Sequence, residues 1–137
     1  MGSRGTAWAG AAVAACVAVL LLAGCAGAKS SVTVTEKDDG GAVTIREGGT
    51  LTVELESNPS TGYSWAVVTQ PPILTRRGTS EFVESESSDK VVGAPGLERL
   101  VFEGAIPGTD VLELAYVRSW EITATPENTF KITVSVR

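Results

Sequence analysis

From Val32 to the C-terminus the chain changes polarity at almost every second residue. Val32-Thr33-Val34-Thr35, Val43-Thr44-Ile45-Arg46 and Leu51-Thr52-Val53-Glu54-Leu55-Glu56 each alternate apolar with hydroxyl or charged side chains. Successive side chains of a strand point to opposite faces, so this period marks strands with one buried and one solvated side. Further runs lie at Trp65–Thr69 and Phe82–Glu86, and three strong ones at Leu97–Glu103, Val111–Val117 and Phe130–Val136. Turn signals separate them: Asp38-Asp39-Gly40-Gly41, Glu47-Gly48-Gly49, Asn58-Pro59, Pro71-Pro72, Gly93-Ala94-Pro95-Gly96, Pro107-Gly108 and Thr125-Pro126. No stretch of ten residues carries a 3.6-residue period, so the predicted class is all-β.

Seven to nine short strands in about 105 residues are the size and spacing of an immunoglobulin-like β-sandwich. The Cys…Trp…Cys pattern of antibody domains is absent, so the pattern supports the architecture and not that family. A closed barrel is the structural alternative.

The N-terminus reads as an address. Arg4 precedes an uncharged stretch from Ala7 to Ala23 that ends in Leu20-Leu21-Leu22, the pattern of a secretory signal peptide. It runs into Leu22-Ala23-Gly24-Cys25, which resembles the bacterial lipobox. That resemblance implies cleavage before Cys25 and a diacylglycerol on its sulfur. The alternative is an uncleaved membrane helix with a buried Cys25, but 17 uncharged residues, many only Ala or Gly, fall short of the roughly 20 needed to span. The expected organisation is a lipoprotein signal peptide at 1–24, a lipidated Cys25 and tether at 25–31, and one domain at 32–137. The expected location is outside the cell, lipid-anchored to the outer side of a bacterial cell membrane.

Cleavage removes Cys16 and leaves Cys25 as the one mature cysteine, so the domain has no disulfide and must be held by its core. It also removes Arg4, leaving ten basic against 16 acidic residues and a net charge of -6. The basic residues are scattered, with Arg76-Arg77 the one adjacent pair, so a nucleic-acid partner is excluded for want of a basic face. The chain has no His, which removes Ser-His and Cys-His catalysis and His-containing zinc sites. Nearly all the carboxylates fall on outward strand positions or in loops, the ordinary pattern of a solvated face. Neither a metal, a cofactor nor an enzymatic activity is expected.

Three loops stand out. In Asn58-Pro59-Ser60-Thr61-Gly62-Tyr63, Pro59 fixes its own φ and pushes Asn58 toward extended geometry, and Gly62 permits a positive φ. Gly93-Ala94-Pro95-Gly96 carries side chains small enough for a partner to approach the backbone. In Arg118-Ser119-Trp120-Glu121, if Leu112, Leu114 and Tyr116 face the core, Arg118 and Trp120 continue on that side at or beyond the strand end. Each loop taken alone also reads as an ordinary turn, and Trp120 as the residue that closes the end of the core.

Together the three resemble the chagasin-type cysteine protease inhibitors, whose members carry an Asn-Pro-Thr-Thr-Gly-Tyr/Phe loop, a Gly-rich loop and an Arg-Pro-Trp loop in that order. The resemblance runs from about Val43 to Val136. It departs at Ser60 for Thr, at Ala94-Pro95 inside the Gly-rich loop and at Ser119 for Pro. It implies an immunoglobulin-like sandwich with all three loops at one end, acting as a monomer that blocks the cleft of a papain-like cysteine protease reversibly. Asn58, Pro59, Ser60, Thr61, Gly62 and Tyr63 would cover the catalytic residues, with Ser60 and Thr61 nearest them. Gly93, Ala94, Pro95 and Gly96 would pair backbone with the non-primed side. Trp120 would stack on the primed side, with Arg118 contacting or supporting that rim. The other reading is an exported immunoglobulin-like adhesion or assembly module whose loops are only turns.

Overall fold

A computed structural model describes residues 30–85, 95–121 and 124–137. The expected leader, Cys25 and most of the tether lie outside the described residues. Eight strands are present: β1 Ser31–Val34, β2 Ala42–Ile45, β3 Thr50–Ser57, β4 Tyr63–Thr69, β5 Leu74–Glu84, β6 Gly96–Gly104, β7 Gly108–Arg118 and β8 Asn128–Val136. Single 3-10 turns occur at Glu36–Asp38 and Pro59–Thr61, and no α-helix occurs among the described residues. The strands form two four-stranded sheets, ordered β1-β3-β6-β5 and β2-β8-β7-β4. β1 and β2 lie parallel to their partners β3 and β8, and the other pairs are antiparallel. The architecture is therefore the expected two-sheet sandwich rather than a closed barrel.

The period-two pattern becomes the core directly. Leu51, Val53 and Leu55 of β3 are fully buried, as are Leu112 and Leu114 of β7. Leu100 and Phe102 of β6 join Phe130, Ile132 and Val134 of β8 in the same buried cluster. Burying a side chain of this size contributes roughly 1.5–3 kcal/mol each relative to exposure, so alternation of this quality decides the fold. No disulfide is needed to hold it.

One strand departs from expectation. Of the expected run Phe82–Glu86, Phe82 to Glu84 are only the end of a strand that begins at Leu74, and Glu86 lies outside the described residues. β5 is an edge strand bonded to β6 alone, and its register shifts between Arg77 and Glu81. Gly78 sits in that bulge at φ +68°. An edge strand broken by a bulge has no continuous buried face, so Arg76 to Ser80 leave no alternation to read.

The registers place all three connections of interest at one end. Ser57, the last residue of β3, pairs with Gly96, the first of β6. Glu84, the last of β5, also pairs with Gly96. Tyr63 opens β4 opposite Arg118, which ends β7, and Tyr116 pairs with Asn128 at the start of β8. The loop 58–62 carries the chain from one sheet to the other.

Candidate functional site

The first loop is a capped 3-10 turn. Asn58 adopts φ -132°, ψ 92°, the extended geometry that a following Pro imposes, and its Oδ1 accepts from the Ser60 amide. Pro59 occupies the first position of the turn, where a missing N–H costs nothing. Gly62 ends it at φ +82°, with its amide donating to the Pro59 carbonyl at 3.0 Å. The two hydroxyls are engaged within the loop: Ser60 Oγ donates to Asn58 Oδ1 at 2.5 Å, and Thr61 Oγ1 to the Asn58 carbonyl at 2.6 Å. Pro59, Ser60 and Thr61 are exposed on the tip.

Beneath it runs an aromatic layer. Trp65 and Tyr63 share the inner face of β4, and Tyr116 lies across from them on β7. The Tyr116 ring is 5.1 Å from Trp65 and 5.2 Å from Tyr63, centroid to centroid. Its hydroxyl accepts from the Asn58 amide at 2.9 Å, so the layer supports the loop from below. Trp65 Nε1 donates to the Glu56 carbonyl at 3.0 Å, tying β4 back to β3.

The layer also holds a group that the sequence reading missed. Glu98 is buried, and its Oε2 accepts from Ser57 Oγ at 3.1 Å and from the Trp65 amide at 3.0 Å. One carboxylate oxygen thus joins both legs of the first loop, Ser57 where the chain leaves β3 and Trp65 where it enters β4. The signal was available. Glu98 is in phase with Leu100 and Phe102, so alternation alone places it inward; the assumption that carboxylates face water hid it.

The third loop closes as a four-residue turn, with the Glu121 amide donating to the Arg118 carbonyl at 3.0 Å. Arg118 continues the inner face of Leu112, Leu114 and Tyr116, as the alternation predicts. Trp120 does not close the core: it is 66% exposed, on the outer surface of this end. Its ring lies against Gly62, where a Cβ would fall 2.3 Å from Trp120 Cη2. Gly62 is thus needed twice, for its backbone angle and for the space above it.

Of the second loop, Gly93 and Ala94 lie outside the described residues. Pro95 is exposed, and its carbonyl accepts from Ser85 Oγ at 2.7 Å. Gly96 is buried inside β6, and a Cβ there would meet the Val83 carbonyl at 2.4 Å. Asn58, Thr61, Tyr63, Tyr116 and Pro95 all line one open groove of about 680 Å³, so the first and second connections border a shared surface.

This end presents the exposed Pro59, Ser60 and Thr61 with the exposed Trp120 beside them. Among the described residues it holds neither His nor Cys, and the Ser60 and Thr61 hydroxyls bond to Asn58. Comparison with known proteins agrees. Amoebiasin-2 of Entamoeba histolytica is 28% identical over 105 residues, covering 76% of this chain and 84% of that protein. Chagasin of Trypanosoma cruzi is 29% identical over 89 residues, covering 64% of this chain and 81% of that protein. Among solved structures, the cysteine protease inhibitor EhICP2 from Entamoeba histolytica superposes with a TM-score of 0.68 at 22% identity, covering 81% of this chain and 99% of that one. The solution structure of Amebosin gives 0.64 at 29% identity, covering 79% and 98%. The family model of the chagasin peptidase inhibitors, I42, matches residues 44–134. The chain is therefore a member of the chagasin family of peptidase inhibitors, and not an enzyme.

Proposed function

We propose that this protein inhibits papain-like cysteine proteases reversibly, by inserting the end that carries residues 58–63, 95–96 and 118–120 into the active-site cleft. The observation that carries the proposal is the exposed Trp120 beside a rigid first loop, both at the end where the second connection also emerges. Family membership supports inhibition of a peptidase, and the solved structure of EhICP2 is that of a cysteine protease inhibitor. In this reading the tip of the first loop covers the catalytic Cys and His of the enzyme. The second loop pairs its backbone with the non-primed side, and Trp120 stacks on the primed side.

The chemistry suits tight binding without reaction. The first loop is ordered before docking by its own hydrogen bonds, so little conformational entropy remains to be lost. A large aromatic exposed beside such a loop is the usual anchor of an interface hot spot. Inhibition of papain at nanomolar to micromolar protein is the expected result; an adhesion or assembly module would leave papain fully active.

The proposed setting is the outer side of a bacterial membrane, with the chain anchored through lipid on Cys25. The lipobox-like Leu22-Ala23-Gly24-Cys25 supports it. Cys25→Ala should release the protein from the membrane fraction or leave its precursor unprocessed. A fully processed Cys25→Ala protein retained in the membrane would remove the anchor from the account.

A further inference from the structure

The Arg118 side chain is a third exposed and is tied down at several points. Nε donates to the Thr61 carbonyl at 3.1 Å. Cζ lies 4.3 Å from the centre of the Tyr63 ring. Nη1 is 3.5 Å from Glu121 Oε1, at the far end of its own turn. The Trp120 ring, which rests on Gly62, is 6.0 Å from the same Cζ. One guanidinium therefore touches the first loop, the strand leaving it and the closing residue of the third loop.

We propose that Arg118 is a positioning residue: it straps the Arg118–Glu121 turn to the first loop and acts on the protease through Trp120, without a contact of its own. An Arg reaching out to the enzyme would surrender the Thr61 carbonyl and the Tyr63 face together. Position 119 explains why a strap is useful. The related inhibitors carry Pro there, which limits the backbone before binding, whereas Ser119 sets no such limit. The planar fork of Arg is matched to the task, since it can donate from Nε while its face lies on a ring; Lys can do one or the other.

The affinity test rests on the reading of this protein as a papain inhibitor, and a second test does not. In the first, Arg118→Leu is measured against papain in the native background and in Trp120→Ala. Action through Trp120 predicts a loss of about tenfold in the first and under about twofold in the second, because residues that work as one unit are not additive. An equal loss in both backgrounds means a contact to the enzyme and overturns the proposal. Arg118→Lys keeps the charge and should lose nearly as much as Arg118→Leu; full affinity with Lys also overturns it. The second test uses the free protein. Arg118→Leu and Arg118→Lys should each shift the Gly62 amide and Trp120 indole resonances and weaken the near-ultraviolet dichroism of Trp120. Unchanged Trp120 and Gly62 signals in both variants overturn the strap. If the native protein leaves papain active, the functional reading fails while this second test still decides the strap; if Arg118→Leu does not fold, Arg118→Lys carries both.

Discussion

At the end of the sandwich where Ile45, Gly104 and Arg137 meet, main chain bonds to main chain. The Gly48 amide donates to the Gly104 carbonyl, the Gly104 amide to Gly49, the Glu47 amide to Arg137 and the Arg137 amide to Ile45, all at 2.8–3.0 Å. At the loop end, main-chain bonds such as Gly62 to Pro59 and Glu121 to Arg118 are joined by a set of side-chain ties: Tyr116 to Asn58, Glu98 to Ser57 and Trp65, Asn58 to Ser60, Arg118 to Thr61. The two ends close the same core in different proportions: at the first, the Ser30 hydroxyl accepting from the Arg46 amide is a side-chain tie among main-chain ones, whereas side chains carry much of the loop end. Backbone ties depend little on which side chains are present, whereas side-chain ties fail with a single substitution. The end that must present a fixed surface to another protein is the one whose order is written in particular residues.

Substitutions can break or sharpen that contrast. Trp120→Ala should have the largest effect, weakening papain binding by roughly 2–4 kcal/mol, the range of interface anchors. Because the side chain is 66% exposed, the melting temperature should barely move. A large loss of stability would instead mean that Trp120 supports the fold. Glu98→Ala should follow, lowering stability by about 1–3 kcal/mol, since it strands the buried Trp65 amide and Ser57 hydroxyl. Urea unfolding measures it, and a stability within error of native would show that the carboxylate does not tie the loop legs.

Ser119→Pro should have a smaller effect in the opposite direction. The Ser119 amide has no backbone hydrogen bond among the described residues, and position 119 is the second residue of the turn that Glu121 closes. Pro is favoured at that position of common turns. The expected gain is about 0.4–1 kcal/mol in stability, through a less free unfolded chain. Slower dissociation from papain should accompany it, and weaker binding at an unchanged melting temperature would show that Ser119 supplies a contact. At the other end, Glu47→Ala should stay within about 0.5 kcal/mol of native stability and inhibit papain as before, because its tie to Arg137 is through the backbone. A loss of inhibition there would undo the distinction between the ends.

Period two was enough to read two layers, the strand faces and the inward phase of Arg118, because burial alternates wherever a strand has one solvated face. It failed at Arg76 to Ser80, where a bulged edge strand buries no continuous face. The first loop was legible from Pro59 and Gly62, whose backbone limits are local. The bond between Asn58 and Tyr116 was not, since alternation assigns a face to each residue but does not say which distant loops meet. Arg118 and Glu98 show the same boundary: their phase was readable, and their partners were not.

The direction of β1 has a consequence for reach. Ser31 sits opposite Thr50 and the strand runs parallel to β3 toward Ser57, so the chain enters the domain at the end away from Trp120. β3 is eight residues long, about 25 Å at the usual rise of a strand. Whatever holds the protein from its N-terminal side therefore attaches at the opposite end of the sandwich from Trp120 and leaves that tip clear.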